Sequence, residues 1–424
     1  MTGFLLITAN IGSLFHDPKN LLHSWVNEFF KTVIALQPRF IALHCQEFGG
    51  KNHRKSSSIA DEFVNLLISN EVMKDFDKFK AFLDANYTSE DKFTALGNLY
   101  FIHKSIEASI WNFDNRTFVP VSGKETHYGQ IESVSTKFKL KFPKEFFPEC
   151  KWSRKGFMLT RWLIKGKIFD TINIHLFHDE SNFLAISESP STYVKYRRQA
   201  LEYALKFFDN DVQNSFFIFG DFNFRLDCLS LVQNLTDDFK LNCKKNKNGE
   251  ILQIVYQNQN DGAKLSIEKK HFSYSDRSFF LDLKNLEKLK QFDKELDHFG
   301  AKLFELDIKF PPSYPFDESL NIRDRYMNTR CPSWCDRIFM NNAARVCINN
   351  GKNIIYDIMG YNVTMGDHKV IFIIRNLPQQ LIYFYFEFKP VYLFFDSCLL
   401  STNKESPVDL SSYERPPKLS HPDA

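Results

Sequence analysis

The sequence has no surplus of charge: 54 Lys and Arg stand against 51 Asp and Glu, a net of +3 over 424 residues. A chain so nearly balanced has no bulk field to hold it on nucleic acid or a membrane, although a locally basic pocket remains open to it. Grouped metal-binding cysteines are also missing. Of eight cysteines (45, 150, 228, 243, 331, 335, 347 and 398), only Cys331 and Cys335 are close, and no second ligand pair stands at zinc spacing. Scattered cysteines read as reduced thiols of a cytosolic protein. No Lys or Arg precedes the short apolar run of "MTGFLLITANIG", so the start reads as a strand rather than a signal peptide. There is no internal repeat.

What is present is aromatic: 45 Phe within a composition that is 43% hydrophobic and 25% charged, enough for a sizeable globular core. "FLLITA" (4–9) reads as a strand. Asp17 then suits an N-cap, Pro18 the first helical turn, and Leu22, Trp25, Phe29 and Val33 recur at helical spacing. "RFIALH" (39–44) is the next strand and ends in Gln46-Glu47. Further strands are expected at 98–104, 105–111, 156–164, 168–176 and 216–219, with a helix over 191–208. The stretch 229–305 is charged and poor in apolar strands, with one amphipathic helix marked by Leu283, Leu286, Leu289, Phe292 and Leu296.

Polar residues gather where these strands stop: Asn10, Glu47, the histidines of "NIHLFHDE", "GDFNFRLD" after "FFIF", and "GDHKVIF". Taken singly, each reads as an ordinary loop or cap. Together they fit one site, because ligands of α/β sheets bind beyond the strand ends. Asp, Glu, Asn and His suit phosphoryl transfer assisted by a hard cation. Mg²⁺ takes oxygen ligands, and a phosphate monoester needs an activated water and charge stabilisation.

"GDFNFRLD" (220–227), "TRCPSWCDRIF" (329–339) and "MGDHKVIF" (365–372) together resemble the inositol polyphosphate 5-phosphatase family. "SRKGFMLTRW" (153–162), "NIHLFHDESN" (173–182) and "KFPPSYPF" (309–316) resemble its type I branch, which acts on soluble inositol phosphates. The resemblance spans about residues 3–375. It implies a two-sheet α/β sandwich of the endonuclease/exonuclease/phosphatase type, with a catalytic domain over 1–376 and a divergent tail over 377–424. It implies Mg²⁺ held by Glu47 with Asn10 nearby and Asp367 beside the metal. His175 would contact the scissile phosphate, Asp221 orient or deprotonate the attacking water, and Asn223 hold a phosphate oxygen. Asp336 and His368 would form a hydrogen-bonded dyad, and either Asp221 or His368 takes the proton. Arg154, Lys155, Lys309 and Arg330 would meet the other phosphates, while Arg225 and Asp227 hold their loop.

The implied activity is removal of the 5-phosphate from soluble inositol 1,4,5-trisphosphate and inositol 1,3,4,5-tetrakisphosphate, ending calcium-mobilising signalling. A phosphoinositide lipid phosphatase, a nuclease of the same fold and an inactive scaffold are the rivals. The near-neutral charge disfavours the nuclease and a nucleic-acid partner. "CLLS" (398–401) has the form of a prenylation box, yet 23 residues follow it, so Cys398 is expected to stay unmodified. The run "LIYFYFEFKPVYLFF" (381–395) is broken by Glu387, Lys389 and Pro390, too short for a confident membrane span. The expectation is a cytoplasmic monomer, with at most weak peripheral contact at the plasma membrane.

Overall fold

The computed structural model describes residues 3–50, 53–89, 91–148, 153–208, 214–258, 262–319, 325–349, 354, 356–372 and 393–395. β1 (Phe4–Asn10) is buried along its length, because a run of apolar residues facing both ways can only sit between two layers. It is followed by α1 (Gly12–His16) and α2 (Pro18–Leu36). β2 (Phe40–Gln46) then pairs parallel to β1, from Phe4 beside Phe40 to Asn10 beside Gln46. The middle of the chain forms α3 (His53–Ser69), β3 (Lys78–Asp84), β4 (Gly97–Ile102), β5 (Ala108–Asn112), β6 (Thr117–Pro120), β7 (Lys124–Gly129) and β8 (Phe138–Lys141). β9 (Gly156–Ile164) and β10 (Lys167–His175) pair antiparallel, and α4 (Asn182–Ala185) and α5 (Thr192–Leu205) lead to β11 (Ser215–Asp221) and α6 (Cys228–Leu235). β12 (Lys240–Lys245), β13 (Ile251–Asn258), β14 (Gly262–Glu268), β15 (His271–Tyr274) and α7 (Leu286–Lys290) come next. The chain continues through β16 (Asp336–Met340), α8 (Asn342–Asn349), β17 (Asp357–Met359), β18 (Val370–Phe372) and β19 (Leu393–Phe395).

One large sheet runs β17-β18-β1-β2-β4-β3-β7, with β19 also on β1; the second runs β16-β11-β10-β9-β5-β6, with β8 on β9. The sheets face one another across aromatic contacts: Phe4 on Phe169, Phe40 on Trp162, and His44 stacked on Phe219 at 3.8 Å. Polar groups trapped between them are satisfied mutually, as buried groups must be. Gln46 Nε2 donates to Asn173 Oδ1 at 2.8 Å, and Asn173 Nδ2 donates to the Cys45 carbonyl at 3.1 Å and Asn98 Oδ1 at 2.8 Å. This clasp lies one or two residues behind Glu47 and His175 and fixes the strand ends that carry them.

The structure departs from the sequence expectations in three places. Asp17 is the N-cap residue of α2, but its carboxylate accepts from Asn20 Nδ2 at 2.8 Å and not from a backbone N–H of the helix. The stretch read as poor in strands holds a third, four-stranded sheet, β12-β13-β14-β15. β12 is exposed at every residue, so it shows no apolar run to read. The helix expected over Leu283–Leu296 is broken into a 3₁₀ turn at Leu283–Asn285, the five-residue α7 and a second 3₁₀ turn at Glu295–Phe299. Between them, the Phe292 carbonyl turns away to accept from the Asp227 N–H at 2.7 Å.

Candidate active site

Four parallel strands of the two sheets end at one rim, and the polar residues follow from their register. Asn10 closes β1 and Glu47 follows β2; His175 ends β10 beside Asp221 at the end of β11, and Asp221 pairs with Asp336 at the start of antiparallel β16. Gly220 makes the last approach feasible. A Cβ there would lie 1.9 Å from the Ile174 carbonyl oxygen, so only glycine lets β11 run this close to β10.

Asp221 is the hub. Its Oδ2 accepts from Asn10 Nδ2 and Asn223 Nδ2, both at 3.1 Å, and lies 3.1 Å from His175 Nε2; its Oδ1 accepts the Asn223 N–H at 2.8 Å. Burial opposes its charge, but His368, His175 and Lys155 outweigh burial and hold its pKa well below the usual carboxylate range. Asn223, in left-handed backbone at φ 51°, is engaged on both sides of its amide: Nδ2 also donates to the Leu176 carbonyl, and Oδ1 accepts from Arg225 Nη2 at 2.7 Å.

Asp336 and His368 meet through Oδ2 and Nδ1 at 2.9 Å, and Ser313 Oγ donates to the same oxygen at 2.8 Å. Burial pushes the Asp336 carboxyl up to about 6, with His368 pulling the other way. For His368, burial disfavours the cation, but Asp336, Asp221 and Asp367 overcome it and lift the ring to about 10. The dyad is therefore imidazolium and carboxylate at neutral pH. Tyr314 packs against the ring, with centroids 4.4 Å apart. One ligand atom each from Asp221, Asp336 and His368 falls within a 4.8 Å cluster.

Glu47 also adopts left-handed backbone, at φ 53°. A Cβ on Gly12 would stand 2.6 Å from Glu47 Oε2 and 3.4 Å from Asn10 Oδ1, so both oxygens converge on space that glycine leaves open. Burial raises the Glu47 pKa, but Lys155, His175 and His368 win and keep it low. An anionic carboxylate beside an amide oxygen is a donor set suited to a hard cation. Asp367 Oδ1 accepts from Ser13 Oγ at 2.8 Å.

The residues expected to read the other phosphates separate. Lys155 is buried with its ammonium against His175 Nε2, inside the cluster. Burial and Lys155 lower the His175 pKa, against the opposing pull of Asp221. Arg154 Nη1 donates to the Gly50 carbonyl at 2.7 Å and its guanidinium lies over Phe93. Arg330 Nη2 donates to the Asp179 carbonyl at 3.1 Å, and burial and the nearby Arg225 lower its pKa. Lys309 is exposed, four residues before Ser313 and outside the cluster's hydrogen bonds. Arg225 is buried over the Tyr314 ring, and Asp227 caps α6 by accepting the Ser230 N–H, so both brace the loop. Arg197 is wholly buried between Asp179 and Glu295 and has no face free for substrate.

The sequence reading passed over Ser13, Ser313 and Tyr314. The last two stand inside "KFPPSYPF", the same stretch as Lys309. Cys331 and Arg337 have the C-x₅-R spacing of a cysteine phosphatase loop. Burial raises the Cys331 thiol far above its usual range, and Arg337 is locked to Glu305 and Asp293, so neither serves that chemistry.

A carboxylate hub, a charged dyad and an oxygen-lined gap at the rim of a two-sheet sandwich define the endonuclease/exonuclease/phosphatase class. The family model described as Endonuclease/Exonuclease/phosphatase family 2 matches residues 112–374. Inositol polyphosphate-5-phosphatase A of Homo sapiens is 46% identical over 389 residues, covering 89% of this chain and 94% of the relative. A probable type I inositol 1,4,5-trisphosphate 5-phosphatase of Caenorhabditis elegans is 34% identical, covering 89% of this chain and 100% of its own. Among solved structures, the 5-phosphatase domain of SPsynaptojanin, crystallised with inositol (1,4)-bisphosphate and calcium, is 12% identical, with TM-score 0.46 and coverage of 93% and 83%. The chain belongs to the inositol polyphosphate 5-phosphatase family.

Proposed function

We propose that this chain removes the 5-phosphate from soluble inositol polyphosphates, inositol 1,4,5-trisphosphate and inositol 1,3,4,5-tetrakisphosphate, and so ends calcium-mobilising signals. The observation that carries this reading is the buried cluster of Asp221, Asp336 and His368, set in a chain 46% identical to a 5-phosphatase over nearly its whole length. Glu47 and Asn10, with Asp367 at the edge of the site, are the residues that would hold Mg²⁺. Bound there, the ion supplies positive charge to the phosphate oxygens.

The chain's own groups divide the remaining work. Asp221, kept anionic and fixed by the amides of Asn10 and Asn223, orients the attacking water. His368 enters as a cation, with a proton to give and no lone pair to accept one, so it binds and neutralises a phosphate oxygen. Asp336 holds that ring by its Nδ1 and preserves its charge. His175 and Lys155 add donors on the opposite side, while Arg154, Lys309 and Arg330 answer the remaining phosphates.

We read the protein as a cytoplasmic monomer touching membranes only peripherally. Among the described residues no helix is long and apolar enough to cross a membrane. Phosphate release from soluble inositol 1,4,5-trisphosphate, from the corresponding phosphoinositide lipid in vesicles, and nicking of a plasmid, all with Mg²⁺, test the reading side by side. Release from the soluble substrate is the expected result. Nicking alone, or turnover of lipid alone, overturns it.

A further inference from the structure

The four-stranded sheet takes no part in the chemistry above, and one end of it has an unusual surface. The β12–β13 hairpin turns over residues 246–250, and β13 begins with two exposed apolar residues, Ile251 (42% exposed) and Leu252 (47% exposed). Leu252 is the extra residue where the ladder shifts, since Lys245 pairs with Ile251 but Lys244 with Gln253. A β-bulge of this kind re-aims a side chain away from the sheet. The turn between β14 and β15 lies at the same end, because Gln253 Nε2 donates to Glu268 Oε1 at 3.1 Å.

Around these apolar residues stand five exposed lysines, Lys244, Lys245, Lys247, Lys269 and Lys270, and none forms an ion pair among the described residues. The two acids at this end, Glu250 and Glu268, accept from the neutral amides of Asn246 and Gln253. This end alone carries five positive charges against two negative ones, in a chain whose whole excess is +3. Lysines on an edge strand are an ordinary guard against edge-to-edge pairing. That explains Lys244 and Lys245. It does not explain the apolar residues: Ile251 and Leu252, side by side at the start of β13, are two of the eight exposed large hydrophobics among the described residues.

The position matters as much as the composition. Asn182, at the start of α4, bonds through its N–H to the Lys269 carbonyl at 2.9 Å and through Nδ2 to the Thr329 carbonyl at 3.0 Å. Arg330 follows Thr329 and is held on the Asp179 carbonyl. Leu184, the third residue of α4, is 46% exposed. The basic end of the sheet therefore adjoins the loops that frame the catalytic rim.

We propose that this end of the sheet docks on an anionic phospholipid surface, with Ile251 and Leu252 entering the interface and the lysines facing lipid headgroups. Basic side chains around a small apolar tip match such a surface in charge and polarity, whereas a neutral bilayer offers no partner for the lysines. Docking here brings the catalytic mouth close to the membrane, whether the substrate is soluble or a lipid headgroup, so the inference stands apart from the substrate assignment.

The test uses the full chain and sedimentation with vesicles of phosphatidylcholine alone or mixed with phosphatidylserine. Binding is expected to the mixed vesicles only, and to fall as salt rises. Lys244→Glu, Lys245→Glu and Lys247→Glu together are expected to weaken it by at least roughly a hundredfold, at about fivefold per lysine. Ile251→Ser with Leu252→Ser is expected to weaken it with an unchanged salt slope. Hydrolysis of soluble inositol 1,4,5-trisphosphate, read on the same preparations, is expected to stay at the parent level and shows that the variants are folded. Equal binding to neutral vesicles, no binding to anionic ones, or full binding by the triple variant overturns the proposal; the last result assigns the contact to another segment.

Discussion

His368 carries its proton because of Asp336: the ring Nδ1 and the carboxylate Oδ2 lie 2.9 Å apart in a buried site, with Ser313 completing the oxygen's shell. The pair binds one more proton folded than the free histidine would near neutrality, and that asymmetry is measurable.

A folded pKa near 10, above the usual histidine value near 6.5, gives stability that is complete below about pH 6.5 and lost as pH rises towards 10. The melting temperature is expected to fall across that window. In His368→Gln the fall is expected to shrink. Scanning calorimetry of both proteins between these limits checks it, and identical slopes would contradict the charged dyad.

Asp221→Ala and His368→Ala are each expected to lower kcat by about 10²–10⁴-fold, because the proposed mechanism puts both groups on the reacting phosphate or its water. Circular dichroism should report a folded chain in each case. Near-parent turnover by either variant would remove that residue from the chemistry.

Chelation is expected to abolish activity, and Mg²⁺ to restore it. Glu47→Gln removes the charge of the proposed ligand but keeps its shape, so the Mg²⁺ needed for half-maximal rate should rise, with kcat recovering in part at saturation. Full turnover in excess EDTA would defeat the metal assignment.

Arg330 and Arg225 are two guanidinium groups close enough for Arg225 to depress the pKa of Arg330. Such a pair relaxes when an anion arrives. Arg330→Ala is therefore expected to raise KM about tenfold or more with little change in kcat, at about 1.4 kcal/mol for each factor of ten. Lys309→Ala, on an exposed side chain outside the cluster's hydrogen bonds, is expected to do less. Steady-state kinetics on soluble trisphosphate separates them, and an effect on kcat alone would place Arg330 elsewhere in the cycle.

Truncation after residue 376 removes β19, whose residues Leu393–Phe395 pair with Leu6–Phe4 of β1 at the end of that strand away from the rim. Activity is expected to survive, with a lower melting temperature. Loss of activity in a folded truncated chain would tie the tail to the site.

The layers and the rim were legible because β1, β2, β10 and β11 are buried runs that stop abruptly at polar residues, so strand and site announce each other. β12 left no such trace: an exposed edge strand of Lys, Asn and Cys with a single exposed Leu has the composition of a loop. The spacing of Leu283, Leu286 and Leu289 suggested a continuous helix, but only Leu286 and Leu289 are buried, and Leu283 is 42% exposed. Ser13, Ser313 and Tyr314 act by spatial contact across long separations in the chain. Ser13 and Asp367 are 354 positions apart, a partnership no local pattern encodes.

Glu47 and Asn223 both hold left-handed backbone without being glycine, and for glutamate in particular that conformation costs on the order of 1 kcal/mol. Glycine at Glu47 would relieve the strain while removing the carboxylate proposed to hold the metal. A survey scoring cellular abundance and catalytic output separately should therefore find the two measures pulling apart there: a substitution that raises the amount of protein and extinguishes its output. On the proposed role of Glu47, chemistry and folding pull in opposite directions at that position, and a stability screen alone would choose the wrong residue.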